Sequence, residues 1–198
     1  MAADEGSATP EVRRYRKRRR ADQERVTHRR ILDAALALVA ELGVDGLTVS
    51  AVARRAGVQR LTVYRHFPDD SLLHACSMLQ AERHPLPDPA EWAAIRDPER
   101  RLRGALRRIY GHYRENADYL AAVSRAGTGT DVTDNYLENV MATLVAGWKP
   151  RPKRAAQLDA TLEHVLRFET WRSLTSGAGL DDKAAARLAT RWVRAIAR

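Results

Sequence analysis

Apolar residues in the first half of the chain recur at spacings of three and four. From about residue 23, Ile31, Leu32, Ala35, Leu36, Val39 and Leu42 fall on one stripe, the period of a helix that buries one face. Gly43 supplies a left-handed position to end that helix, Asp45 and Gly46 make a turn, and Thr48 stands where a side-chain oxygen caps a second helix, Val49 to Ala56. Val52, Ala53 and Ala56 form its buried face. Gly57 permits a tight turn, Val58 plugs the gap between helices, and a third short helix runs from near Gln59 to a stop at Pro68. A fourth, over residues 71–83, carries Leu72, Leu73, Cys76 and Leu79 on one side before the sequence HPLPDP breaks the chain.

Helical periods resume over residues 98–114, 117–126, 132–148, 155–176 and 181–197. Pro150 and Pro152 separate two of these segments, and Gly177 with Gly179 separates the last pair. Leu158, Leu162, Val165 and Leu166, then Leu188, Trp192 and Ile196, mark faces for burial in a monomer core or a dimer seam. No run reads as a strand, so the predicted class is all-α. Its organisation is a disordered basic arm at 1–21, a helix-turn-helix domain at 22–85, and a helical bundle at 86–198.

The third helix carries the candidate chemistry. At 100° per residue, Val63 and Phe67 share a core face, while Leu61, Tyr64 and Arg65 point the opposite way with Arg60, Thr62 and His66 at the flanks. Such a helix fits the DNA major groove. Arg60 is placed to bridge guanine O6 and N7, Leu61 to pack on a thymine methyl, and Tyr64 to lie across a base or phosphate. Thr62, Arg65 and His66 are placed to hold phosphates, which fix register rather than sequence. The plainer alternative has Tyr64 packed on the first helix and His66 bonded locally, leaving Arg60 and Arg65 as solvated charges.

Charge sharpens this picture. Among 198 residues, 34 Lys and Arg outnumber 25 Asp and Glu, giving a formal charge of +9 and a pI near 10.3. That balance points to DNA, RNA or an anionic membrane surface as partner. The basic block that ends the 1–21 segment either reaches phosphates or a minor groove, or is a solvated tail. A single cysteine, Cys76, excludes an intrachain disulfide framework and a Cys-based zinc module. Without a membrane-length apolar run or a signal-peptide core, the expected location is cytoplasmic. No phosphate loop, metal-spaced cluster or activated nucleophile is present, so neither an enzyme nor a cofactor is expected.

The run GLTVSAVARRAGVQRLTVYRHFPDDSLL resembles the DNA-binding domain of TetR-family transcriptional regulators, over about residues 25–80. The motifs that carry this are the Ala35 helix ending in Gly43, the Thr48 cap, Val52 and Ala53, the AGV turn at Ala56 to Val58, and TVYRHF at Thr62 to Phe67. The C-terminal stretch FETWRSLTSGAGLDDKAAARLATRWVRAI is similar to the last two helices of many such proteins. The resemblance implies base contacts from Arg60, Leu61 and Tyr64, phosphate contacts from Thr62 and His66, and support from Thr48 and Ser50. It also implies a homodimer on a palindromic double-stranded operator and a small-molecule effector that releases a repressor. Tyr110, Tyr113, Tyr136, Trp148, Phe168 and Trp171, with His112 or His164, are candidates to line an effector cavity, or else plain core. Three positions depart from the family pattern: Gln59 replaces a frequent Ser or Thr, Leu61 a frequent small residue, and Asp70 a frequent phosphate-binding Lys. The competing function is a nonspecific nucleic-acid-coating protein that relies on the Arg-rich arm.

Overall fold

The computed structural model describes residues 10–68, 71–127 and 131–198, and every regular element among them is helical. The chain divides into two compact units between Leu79 and Gln80, inside a helix and ahead of the boundary expected after residue 85. In the first unit, α1 spans Pro10–Leu42, α2 Val49–Ala56 and α3 Arg60–His66, and α4 (Ser71–Arg83) runs through the boundary. Helix α1 packs on α2 and α2 on α3. Their core joins Ile31, Ala35 and Val39 with Val52, Ala53 and Val63, all but closed to solvent, as the three-and-four spacing requires.

Two expectations at the ends of α1 need correction. Residues 10–21, expected to be disordered, are helical and continuous with the rest of α1. Arg, Lys, Glu and Ala are strong helix formers, no glycine interrupts them, and Arg20 pairs with Glu24 one turn later at 3.6 Å. The lack of an apolar period argues against burial, not against a helix that extends one already anchored downstream. Residues 1–9 of the expected arm lie outside the described residues, as does Asp70. At the other end Leu42, expected on the buried stripe, is 62% exposed, because packing against α1 ends a turn earlier at Leu38 and Val39.

The second unit contains α5 (Ala90–Ala93), α6 (Pro98–Glu115), α7 (Ala117–Ala126), α8 (Asp131–Val145), α9 (Ala155–Leu166), α10 (Phe168–Arg172) and α11 (Asp182–Ala197). Helices α6 and α9 pack against α11, α8 against α6 and α9, and α10 against α6 and α9. Leu102, Leu106, Ile109, Leu158, Leu162 and Val165 form the centre. The helix expected over residues 155–176 is broken at Arg167, whose backbone is extended (φ −72, ψ 142), and it ends in a π-helical turn, Ser173–Gly177. The carbonyls at the end of α9 are met by side chains instead of by a continuing helix. Tyr110 and Tyr113 of α6 donate to Val165 O and Leu166 O at 2.8 and 2.5 Å, and Thr170 Oγ1 donates to His164 O at 2.6 Å.

Of the two alternatives left open for Leu188, Trp192 and Ile196, none of the three is fully buried in the core of the unit. Ala185, Ala186, Ala189, Thr190 and Val193 face the core, while Leu188 and Ile196 are only partly buried and Trp192 is 37% exposed. Small alanines let α11 approach α6 and α9 closely, and the larger residues flank that contact. No helix of the described residues is long and apolar enough to cross a membrane.

Removing two methyls from a sealed site costs cavity energy, so Val63→Ala should lower the stability of the N-terminal unit by about 1–2 kcal/mol, read as a lower denaturant midpoint. Burial pushes the Cys76 thiol up to about 12, so folded protein should resist a thiol reagent at mildly alkaline pH while unfolded protein reacts at once. Prompt labelling of the native chain would contradict that placement.

Candidate nucleic-acid interface

The turn between α2 and α3 is closed by its backbone. Gly57 adopts φ +62, and Val58 N and Gly57 N donate to Ala53 O and Arg54 O at 3.0 and 3.3 Å. This is the paired arrangement that ends helices at a left-handed glycine. At the start of α2, Thr48 Oγ1 accepts from Ala51 N at 3.2 Å, the cap expected from sequence. At the start of α3, Gln59 holds an extended backbone and gives no side-chain cap, so this seven-residue helix begins without one.

Helix α3 is therefore held from below. Val63 and Phe67 are buried, whereas Leu61 is 76% and Tyr64 57% exposed. Arg60 and Arg65 are exposed beside them, and Thr62 is half-buried. Tyr64 does not pack away on α1. His66 behaves otherwise: its Nε2 is buried without a hydrogen-bond partner, and its ring meets His28 of α1 edge-on at 5.8 Å. His28 in turn lies 4.5 Å from the Phe67 ring. Of the eight expected contact residues, Arg60, Leu61, Tyr64 and Arg65 thus share one open face, Thr62 flanks it, Thr48 and Ser50 are exposed at the start of α2, and His66 turns toward α1.

Two arginines that sequence reading passed over stabilise this frame. Arg55 makes a two-pronged contact with Glu41, both distances 2.6 Å, tying the end of α2 to the end of α1. The hydrogen bonds from Arg55 hold the Glu41 carboxyl below the usual carboxylate range. Arg30 reaches the Gly57 carbonyl at 3.4 Å. Glu41 and Arg55 are separated by 14 residues, a spacing that no local rule connects. Arg54, Arg60 and Arg65, by contrast, make no ion pair among the described residues, leaving uncompensated positive charge around α3. Burial, and then the neighbouring His66, lower the pKa of His28.

In the C-terminal unit the six aromatic candidates divide. Tyr110, Phe168 and Trp171 are buried core, and Tyr113 stacks at 6.2 Å on Tyr110 and meets Phe168 edge-on at 5.6 Å. The polar atoms of three are used internally, the two tyrosines on α9 and Trp171 Nε1 on Asp182 Oδ1 at 3.0 Å. Tyr136 Oη and Trp148 Nε1 are buried without partners. His164 lines a surface depression with Thr170, Leu174 and Trp192; none of the six aromatics lines it. Among the described residues, no three His, Cys, Asp or Glu side chains group to hold a metal.

Residues 31–76 match the model of bacterial regulatory proteins of the tetR family. An uncharacterized helix-turn-helix transcriptional regulator from Mycobacterium tuberculosis is 54% identical over 50 residues, 25% of this chain and 26% of that protein. A class D tetracycline repressor protein from Escherichia coli is 32% identical over 95 residues, 47% of this chain and 44% of the repressor. The chain thus matches a quarter to under half of the length of these relatives. A TetR-like transcriptional regulator from Rhodococcus sp. RHA1 superposes with a TM-score of 0.54 at 21% identity, over 85% of this chain and 93% of that one. A transcription regulator from Lactobacillus plantarum gives 0.57 at 16% identity, over 83% and 96%. At these identities the likeness is one of fold.

Thr48→Ala should cost about 1 kcal/mol through the lost cap, and Gln59→Ser should add about 0.5–1 kcal/mol by supplying one; thermal melts of both variants check the pair. A base whose folded pKa is depressed takes up protons more readily when unfolded, so its contribution to stability falls as pH drops through the ordinary histidine value of 6.5. His28→Asn should therefore show a shallower loss of stability than wild type on acidification through that value, measured by denaturant titration.

Proposed function

We propose that this chain, which belongs to the TetR family of regulators by its helix-turn-helix segment, is a sequence-specific DNA-binding transcriptional repressor. The observation that carries the reading is the outward face of α3. Leu61 and Tyr64 stand exposed between Arg60 and Arg65 on a helix whose other side is fully committed to the core. Exposing a leucine and a tyrosine side by side has little use in water, but both fit a major groove, where apolar contacts meet thymine methyls and arginine bridges guanine edges. Arg54 at the end of α2, and Thr48 and Ser50 at its start, supply groups for phosphates.

The operator would be palindromic and the protein a homodimer, since a two-fold protein reads two half-sites about one helical turn apart. The partly exposed flank of α11, with Leu188 and Trp192, supports that reading: it is an apolar strip the monomer leaves uncovered. Response to a small molecule in the C-terminal unit would act through α4. That helix begins in the DNA-binding unit and ends in the C-terminal one, where Gln80 Nε2 donates to the buried Asn116 Oδ1 at 2.6 Å. An effector releases DNA only by binding one state more tightly than the other.

The exposed arginines of α1 support a supplementary, sequence-independent contribution. Arg14, Arg16, Lys17, Arg18 and Arg19 project from consecutive turns without ion pairs among the described residues, and each phosphate contact steepens the dependence of affinity on salt.

Against a duplex selected from genomic fragments, Arg60→Ala and Tyr64→Ala should leave the thermal midpoint nearly unchanged. Each should reduce discrimination over random duplex by about 1–3 kcal/mol. Deleting residues 1–21 should weaken both duplexes alike and flatten the salt dependence. If the deletion abolished all binding while Tyr64→Ala changed nothing, the protein would be a nonspecific nucleic-acid-coating one instead.

A further inference from the structure

The C-terminal unit buries a charge that makes no ion pair among the described residues. Arg101, on the first turns of α6, is 6% exposed. Its Nη1 donates to Ile95 O at 2.8 Å, but Nε and Nη2 are buried without partners. The nearby carboxylates are engaged elsewhere: Asp97 accepts from Arg100 N at 2.6 Å, Glu99 pairs with Arg103 and Arg194 at 3.1 and 3.4 Å, and Glu91 is held by Arg108. An isolated buried cation is costly unless a counter-charge accompanies it.

Backbone comes close to this guanidinium. Gly147, at φ +86, presents bare backbone there, and a Cβ on it would lie 3.5 Å from Arg101 Nη2. The next residue, Trp148, has a buried Nε1 without an acceptor; Trp92 Nε1 and Tyr136 Oη, in or against the apolar cluster of the same unit, are also buried without partners. Leu102, next to Arg101 in sequence, belongs to the apolar cluster of this unit, with Ile95 and Met141 packed against it. What the site lacks is an acceptor-rich negative group, and what surrounds it suits a hydrocarbon.

We propose that Arg101 recognises the carboxylate head group of an otherwise apolar small molecule bound within the C-terminal unit, with Trp148 Nε1 as a second donor. A planar guanidinium fork matches a carboxylate's two oxygens in a charge-assisted, two-pronged contact. Entry requires outward movement of the Gly147–Trp148 turn. The proposal rests on the reading of this unit as the effector-binding part, and it specifies the class of effector.

The test uses the full chain without DNA, titrated separately with decanoate, 1-decanol and inorganic phosphate, each below the concentration at which aggregates form. Decanoate should raise the thermal midpoint and shift the Arg101 Nε–Hε signal of protein labelled with ¹⁵N-arginine, and decanol and phosphate should do neither. Arg101→Met should weaken decanoate binding at least about tenfold, and Trp148→Phe, which keeps an aromatic side chain but removes the N–H, should weaken it less. The wild-type arginine signal decides the matter even if the Arg101 variant fails to fold. Equal responses to decanoate and decanol with Arg101 unmoved would overturn the proposal, as would an equal Arg101 shift with phosphate or no response to decanoate. Decanoate that binds through Arg101 but leaves DNA affinity unchanged would uphold the site and overturn the effector reading instead.

Discussion

A helix of seven residues is too short to be stable alone, and α3 has no side-chain cap at its start. Everything its outer face presents depends on the seating of Val63 and Phe67 against the rest of the N-terminal unit. Each device around it serves that seat: the glycine turn before it, the Arg30 contact to that turn, the Arg55–Glu41 clamp that holds α2 to α1, and the His28 ring beside Phe67. The buried side of α3 is thus rigidly specified, and the exposed side is free to vary without touching the fold. Leu61, where the family more often has a small residue, falls on the free side.

A comparable economy appears in the C-terminal unit. Tyr110 and Tyr113 of α6 donate to the last carbonyls of α9, and their rings then stack into the core with Phe168 and Trp171. A phenylalanine in either place would fill the same volume but would leave that carbonyl without its side-chain donor. The end of α9 at Arg167 is therefore tied to residues more than 50 away in sequence, with Tyr110 and Val165 separated by 55.

That distance explains what was readable from the chain and what was not. Local chemistry was legible: the Thr48 cap, the Gly57 turn, the stop at Pro68, and the split of α3 into Val63 and Phe67 against Leu61 and Tyr64 all follow from spacing within a few residues. The TetR-type resemblance was carried by the same short-range motifs. Features produced by contacts between distant segments were not legible. The interruption of α9, the choice of alanines over Leu188 and Trp192 for the buried face of α11, the inward turn of His66 and the unpaired Arg101 each depend on a partner that sequence position does not announce. The helical state of residues 10–21 was missed for a different reason: an apolar period reports burial, and a solvated helix has none.

The continuity of α1 changes the thermodynamics of its basic segment. An arm that becomes ordered only on its target loses about 1–2 kcal/mol of backbone freedom per residue at that moment, and its affinity per charge is reduced accordingly. Residues 10–21 are already helical, so that loss belongs to the folding of the chain and not to its encounter with a polyanion. The arginines also advance along an axis by about 1.5 Å per residue, at fixed angles to one another. A polyanion would meet such a segment as a preset spacing of charges, and the segment would not follow a curving groove as an unstructured arm would.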